Sequence, residues 1–358
     1  MQSDTGTPTL MMGSHAMGLG AVAAGCRYFA GYPITPQTEL LEYMAHALPP
    51  RGGVFQQLND EISSIMACFG AAAAGARTMT ASVGPGLTLM IDGLTNAAGA
   101  ELPIVVGAIT RAHVGVSAGL VPAQSDIRML KGGGNGDYHL PILAPSSCQE
   151  TAELTHAAFD LADRYRTPVF VAIDGFMANM MEPVAFAPEP RPQEPAPAWS
   201  LAHEAEPSVV VTSYWSVESD TETCYRLQEK YRAMREHEVR CELYHTEDAE
   251  YVIVAFGIMA RIAKQTVRMA RAQGIKAGLF RPITLFPFPD AQLRELAARA
   301  RSVLVTEINF GQVLVDVRLA VGDLCPVRFH GQPAQPIRPR ALLEELLRIA
   351  GTPSEVRP

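Results

Sequence analysis

"FQQLNDEISSIMACFGAAAAGARTMTASVGPG", residues 55–86, is the stretch on which the reading of the fold turns. Its first two-thirds read as an apolar, alanine-rich helix with the pair Asp60-Glu61 at the head. The remainder reads as a buried strand that breaks at Gly84-Pro85-Gly86. The same alternation extends to both sides. "GAVAAGCRYFAGYPITP" (20–36) reads as helix, short strand and loop. "LPIVVGAIT" (102–110) and "TPVFVAID" (167–174) are continuous apolar strands, and "SCQETAELTHAAFDLADRY" (147–165) is a helix with apolar positions three and four apart. Unbroken apolar strands alternating with helices imply an α/β fold: a parallel sheet covered by helices on both faces.

Beyond residue 182 the composition changes. "EPVAFAPEPRPQEPAPAW" is rich in proline and reads as an extended linker, followed by a mixed-charge helix over "TETCYRLQEKYRAMREHEVRCELY". A second α/β unit begins near Ala249 with the strand "AEYVIVAFG" and the helix "MARIAKQTVRMARAQG". "KAGLFRPITLFPFP" reads as one strand entering a turn, "DAQLRELAARA" as a helix with Asp290 as N-cap, "RSVLVTEIN" as a third strand and "RALLEELLRIAG" as a closing helix. The expected division is therefore 1–182, a linker and connecting helix over 183–248, and 249–358.

A chain of 358 residues with 48% hydrophobic content suits two such domains. Its net charge of −8 argues against nucleic acid and anionic membranes as partners. The start "MQSDTGTPTL" lacks the pattern of a secretory leader, and no apolar run reaches the roughly 18 residues of a membrane span, so the expected location is the cytoplasm. Six cysteines (Cys26, Cys68, Cys148, Cys224, Cys241, Cys325) lie scattered, without the clustered spacing of a metal or iron–sulfur site.

In a parallel sheet the ligand crevice lies beyond the carboxyl ends of the strands. "GYPITP", "SVGPG" and "ITR" follow three of the strands and bring Thr35, Ser82 and Arg111 to one edge. Prolines on both sides of Ile34-Thr35 restrict that loop. Arginine binds carboxylates bidentately, so Arg111 suits a small acid, with a surface ion pair as the plain alternative. A carboxylate such as Glu61 at a helix head is favoured by the helix dipole alone, or it serves as a buried acceptor for a cofactor nitrogen. "GGGNGDYH" (132–139) is neither a P-loop nor a dinucleotide fingerprint and reads as a mobile loop near the site; His113 and His139 are acid–base candidates.

Together these stretches resemble a known family. "AGCRYFAGYPITPQTELLEYMA", the 55–86 segment, "AGAELPIVVGAITR", "QSDIRMLKGGGNGDYHLPILAPSS", "DAEYVIVAFG", "GIKAGLFRPITLFPFP" and "VTEINFGQ" resemble the α-type subunit of 2-oxoacid:ferredoxin (acceptor) oxidoreductases. The branched-chain (2-ketoisovalerate) type is the nearest in character, with the 2-oxoglutarate type next. The resemblance implies a thiamine diphosphate pyrimidine-binding domain followed by a smaller transketolase C-terminal-like domain. It implies that Glu61 bonds N1′ of the aminopyrimidine and favours the imino form that takes the thiazolium proton. Thr35 and Arg111 would contact the 2-oxoacid, and Pro33, Ile34, Ser82 and Gly84 would lie beside the cofactor. Arg111 stands eight residues after Pro103, as the family's carboxylate-binding arginine does.

There are departures. "AHVGVSAGLVPAQSD" replaces a glycine-rich run beside the substrate, "GSHAMGLGA" replaces an acidic version, and the GDG metal motif is lacking because Tyr138 follows Gly136-Asp137. The resemblance therefore assigns diphosphate and Mg²⁺ to a β subunit and iron–sulfur clusters to γ/δ subunits, with coenzyme A as co-substrate and ferredoxin or NAD(P) as acceptor. A non-catalytic or docking subunit on the same scaffold is the alternative. A nucleotide-binding Rossmann protein is disfavoured by the missing glycine fingerprint.

Overall fold

The computed structural model describes residues 7–111, 114–115, 121–186, 196–203, 210 and 216–351. The first half contributes β1 (Thr9–Met12), α1 (Gly13–Ala23), β2 (Tyr28–Gly31), α2 (Thr38–Ala47), β3 (Val54–Gln57), α3 (Glu61–Ala73), β4 (Thr78–Val83), α4 (Gly84–Gly99), β5 (Ile104–Thr110), α5 (Ile127–Gly132), β6 (Ile142–Leu143), α6 (Cys148–Tyr165), β7 (Val169–Asp174), α7 (Gly175–Asn179) and β8 (Met181–Val184). The second contributes α8 (Val217–His237), β9 (Cys241–Tyr244), β10 (Tyr251–Val254), α9 (Gly257–Ala272), β11 (Ala277–Pro282), β12 (Thr284–Phe286), α10 (Asp290–Ala297), β13 (Ser302–Val305), α11 (Leu314–Val321), β14 (Val327–Phe329) and α12 (Pro339–Ala350).

β4, β5 and β7 are buried at every residue, because helices cover both of their faces. Along β5, Ile104, Val106 and Ala108 join a core with Ile65, Leu87 and Met90, while Val105 and Ile109 join another with Met17, Phe29 and Leu40. This is the two-residue period of a strand sandwiched between helical layers. The strand order is β12-β6-β7-β5-β4-β2-β3, parallel except where β12 runs against β6. A second sheet, β14-β13-β10-β11-β9, is parallel except for the edge strand β9. The two-domain α/β class expected from the sequence is the one observed.

Several local expectations are corrected. Phe55–Gln57, assigned above to the head of a helix, belong to the edge strand β3. The helix begins at Glu61 because Asp60 caps it, its Oδ1 accepting from the Ser63 amide at 2.7 Å. The start of the proline-rich stretch is the strand β8, paired with β1; residues 187–195 lie outside the described residues. "CELY" is not the end of a helix but β9, which edges the second sheet from ahead of Ala249. "KAGLFRPITLF" is two strands: β11 stays in the second sheet, and β12 crosses to extend the first. Asp290 is the first residue of α10 and not its cap, a place taken by Pro289.

Buried polar groups join the halves. Gln124, 1% exposed, donates from Nε2 to the Phe256 carbonyl at 3.0 Å and accepts at Oε1 from the Ile308 amide at 3.1 Å. Its main chain bonds Ile308 and Asn309 in addition. Asp174 caps α7 through Met177 and also accepts from the Ile258 amide. Arg281, on β11, pairs with Glu150 at the head of α6 and with Glu242 of β9. Glu307 is fully buried and accepts from the amides of Gln312, Val313 and Leu314, so it caps α11. Among the described residues, no helix is long and apolar enough to cross a membrane.

Candidate functional site

The site forms where β2, β3, β4 and β5 end on one edge of the first sheet. Glu61 is 3% exposed, at the first position of α3. Its Oε1 accepts from the Ser82 hydroxyl at 3.1 Å, and Ser82 is itself fully buried on β4. Among the described residues, this Ser82 bond is the one hydrogen bond seen to the Glu61 carboxylate, and it goes to Oε1. The turn from β4 into α4 then passes over the carboxylate. A Cβ built on Gly86 would stand 2.1 Å from both Glu61 Oε1 and Ser82 Oγ, so this glycine leaves the room in which the carboxylate sits.

The same turn touches the arginine. A Cβ on Gly84 would lie 3.4 Å from Asp126 Oδ1 and 3.8 Å from Arg111 Cγ. Arg111, 7% exposed, directly follows β5 and donates from Nη1 to the Thr35 carbonyl at 3.0 Å. Its amide donates to Asp126 Oδ2 at 3.1 Å. Burial pushes the Asp126 carboxyl up to about 6, against the pull of the Arg111 amide and charge. Thr35 lies in the loop after β2; its side is exposed, the Thr35–Pro36 peptide is cis, and Ile34 packs against the core.

The turn at residues 82–86 therefore brings Glu61, Ser82 and Gly84 into one place with Arg111, and Arg111 brings Thr35. Pro33 and Ile34 sit in the same loop as Thr35. His139 is elsewhere. It stacks on Phe286 of β12 at 4.7 Å, at the far edge of the sheet, with Arg235 beside its Nε2. Burial and Arg235 hold its pKa below the usual imidazole range. His113 lies outside the described residues. The loop after Gly132, expected to be mobile, is tied down: Tyr138 bonds the Gly133 carbonyl, and Gln228 of α8 bonds that of Asp137 at 3.0 Å.

Two residues of this edge escaped the sequence reading, Gly86 and Asp126. The "GPG" break and the "QSD" of the quoted segments were the signals, but neither shows its partner without the fold. Among the described residues no group of three or more His, Cys, Asp or Glu side chains is placed to hold a metal ion. For an aminopyrimidine the fit is good: a buried carboxylate with one oxygen held by Ser82 and the other without a hydrogen bond among the described residues can accept from a ring nitrogen.

A family model described as pyruvate flavodoxin/ferredoxin oxidoreductase, thiamine diphosphate-binding, matches residues 19–252. A second, pyruvate:ferredoxin oxidoreductase core domain II, matches residues 249–335. The chain is 41% identical to the ketoisovalerate oxidoreductase subunit VorB of Methanothermobacter marburgensis, covering 96% of this chain and 98% of that protein. It is 33% identical to the 2-oxoglutarate synthase subunit KorA of the same organism, covering 94% and 98%. Among solved structures it is similar to 2-oxoglutarate:ferredoxin oxidoreductase from Magnetococcus marinus, solved with 2-oxoglutarate, coenzyme A and succinyl-CoA bound. The TM-score is 0.86 at 26% identity; the match covers 96% of this chain, which spans 65% of that one. A split-gene transketolase, with a TM-score of 0.57 at 14% identity, shares the fold.

Proposed function

Because the chain belongs to the pyruvate flavodoxin/ferredoxin oxidoreductase family, whose relatives here are 2-oxoacid oxidoreductase subunits, we propose that it is the α-type subunit of a coenzyme A-dependent 2-oxoacid:ferredoxin oxidoreductase. The reaction converts a 2-oxoacid, coenzyme A and two oxidised ferredoxins into the acyl-CoA, CO₂, a proton and two reduced ferredoxins. Identity of 41% to a ketoisovalerate subunit, against 33% to a 2-oxoglutarate subunit, favours a branched-chain acid. The place of reaction is the cytoplasm.

One observation carries this reading: the buried Glu61 carboxylate, clamped by Ser82 on one oxygen and with no hydrogen bond to the other among the described residues. Thiamine diphosphate, when bound, supplies the stabilisation of carbanion character at the decarboxylating carbon. Glu61 holds a proton at the pyrimidine ring nitrogen. Ser82 fixes the carboxylate in one rotamer, and Pro33, Ile34 and Gly84 would help to hold the cofactor beside it. Arg111 binds the 2-oxoacid carboxylate, and the Thr35 hydroxyl bonds the substrate beside it. A β subunit holds the diphosphate and Mg²⁺, and iron–sulfur-bearing γ/δ subunits carry the electrons away.

The test is Glu61→Gln in the complex assembled from all its subunits. The amide keeps size and the Ser82 contact but cannot share the proton. Acyl-CoA formation should fall by about a hundredfold or more, with assembly unchanged. Wild-type turnover by that variant would remove the assigned role.

A further inference from the structure

We propose that Asp126 is the positioning residue that holds Arg111 in place to receive the 2-oxoacid carboxylate. The inference rests on the reading of Arg111 given above and adds to it the part that aims the side chain.

Arg111 stands where the sheet stops supporting it. Thr110 is the last residue of β5 in ladder register with β7, opposite Asp174. Arg111 pairs instead with Pro122 in an isolated antiparallel bridge. Proline has no amide proton to return, and the strand ladder no longer supplies an acceptor for the Arg111 amide. Asp126 supplies it: the 3.1 Å bond from Arg111 N to Oδ2 replaces the missing ladder bond with a charge-assisted one.

Asp126 is rigid enough for this task. Its own carbonyl accepts from the Leu130 amide at 3.1 Å, starting α5, and Ile127 and Leu130 root that helix in the core. The carboxylate and the Arg111 stem lie side by side against Gly84, which offers no side chain to displace either. At the far end Arg111 Nη1 is fixed by the Thr35 carbonyl. The arginine is thus held at its main chain by Asp126 and at its tip by the substrate-contacting loop. Asp126 is half-buried, which strengthens the bond.

The experiment compares Asp126→Ala, Asp126→Asn and Arg111→Gln in the assembled complex, with 2-ketoisovalerate as the varied substrate. Alanine removes the acceptor; asparagine keeps one in its amide oxygen. Asp126→Ala should raise KM about tenfold with kcat within about twofold, and Asp126→Asn should return KM to the wild-type range. An unchanged KM in Asp126→Ala overturns the proposal. So does a loss confined to kcat and melting temperature that asparagine fails to rescue, which marks a structural role only. Arg111→Gln separates the two levels. If it raises KM while Asp126→Ala does not, the positioning role alone falls. If it leaves KM unchanged, the carboxylate-binding reading fails and takes this proposal with it.

Discussion

Gly86 shows how one missing side chain sets the chemistry of a neighbour. An alanine there would drive its methyl to 2.1 Å from both Glu61 Oε1 and Ser82 Oγ, a separation no real methyl tolerates. Since Glu61 and Ser82 are bonded to each other, both must move together. Gly86→Ala should therefore reduce turnover of the complex by about a hundredfold and cost about 1–3 kcal/mol of stability, measured by assay and by denaturant unfolding. Single residues were legible in unequal measure. Glu61 stood out because an Asp–Glu pair precedes an apolar helix, and Arg111 because it follows an apolar strand. The Ser82–Glu61 bond joins residues 21 apart, and Asp126 reaches back 15 residues to Arg111, so neither contact leaves a periodic trace. Their significance is visible only once the strands are side by side.

Among the elements, the end of β7 carries a titratable load. Asp174 is 2% exposed and serves two amides, Met177 in α7 and Ile258 in α9. Burial pushes its carboxyl up to about 6. The folded chain thus binds the proton more tightly than the unfolded one. This contribution to stability is complete below the unfolded carboxyl range and is lost as pH rises through about 6. Asp174→Asn keeps an N-cap oxygen and removes the charge. The difference in unfolding free energy between variant and wild type should grow in the variant's favour by on the order of 2–3 kcal/mol from about pH 4 to pH 7. Denaturant titrations across that range measure it. The same strand explains what was readable: β4, β5 and β7 are apolar throughout and long enough to be seen. β3 ("VFQQ") and β9 ("CELY") are four-residue edges with mixed polarity, and β12 has three residues, so neither length nor alternation marks them.

At the scale of the molecule, Gln124 ties the two sheets. Its amide bonds Phe256 and Ile308 of the second half, with 1% of the residue exposed. Gln124→Ala leaves the Ile308 amide without its acceptor in this buried joint, while the Phe256 carbonyl keeps the Ala260 amide. The expected cost is about 1–3 kcal/mol by denaturant unfolding, with the secondary-structure content retained. The two-unit α/β plan was legible in the sequence because a proline-rich stretch separates two runs of alternating strand and helix. The joint was not, since Gln124, Arg281 and Glu307 resemble ordinary surface polar residues until partners bury them.

β12 belongs by sequence to the second half and by hydrogen bonding to the first. The halves are therefore dovetailed rather than strung together. A recombination that exchanged the latter half for a foreign module would strip the rim from the former and bare the raw margin of β6. Descent of the two as one inseparable piece is the economical outcome, whatever the sheets' separate outlines suggest.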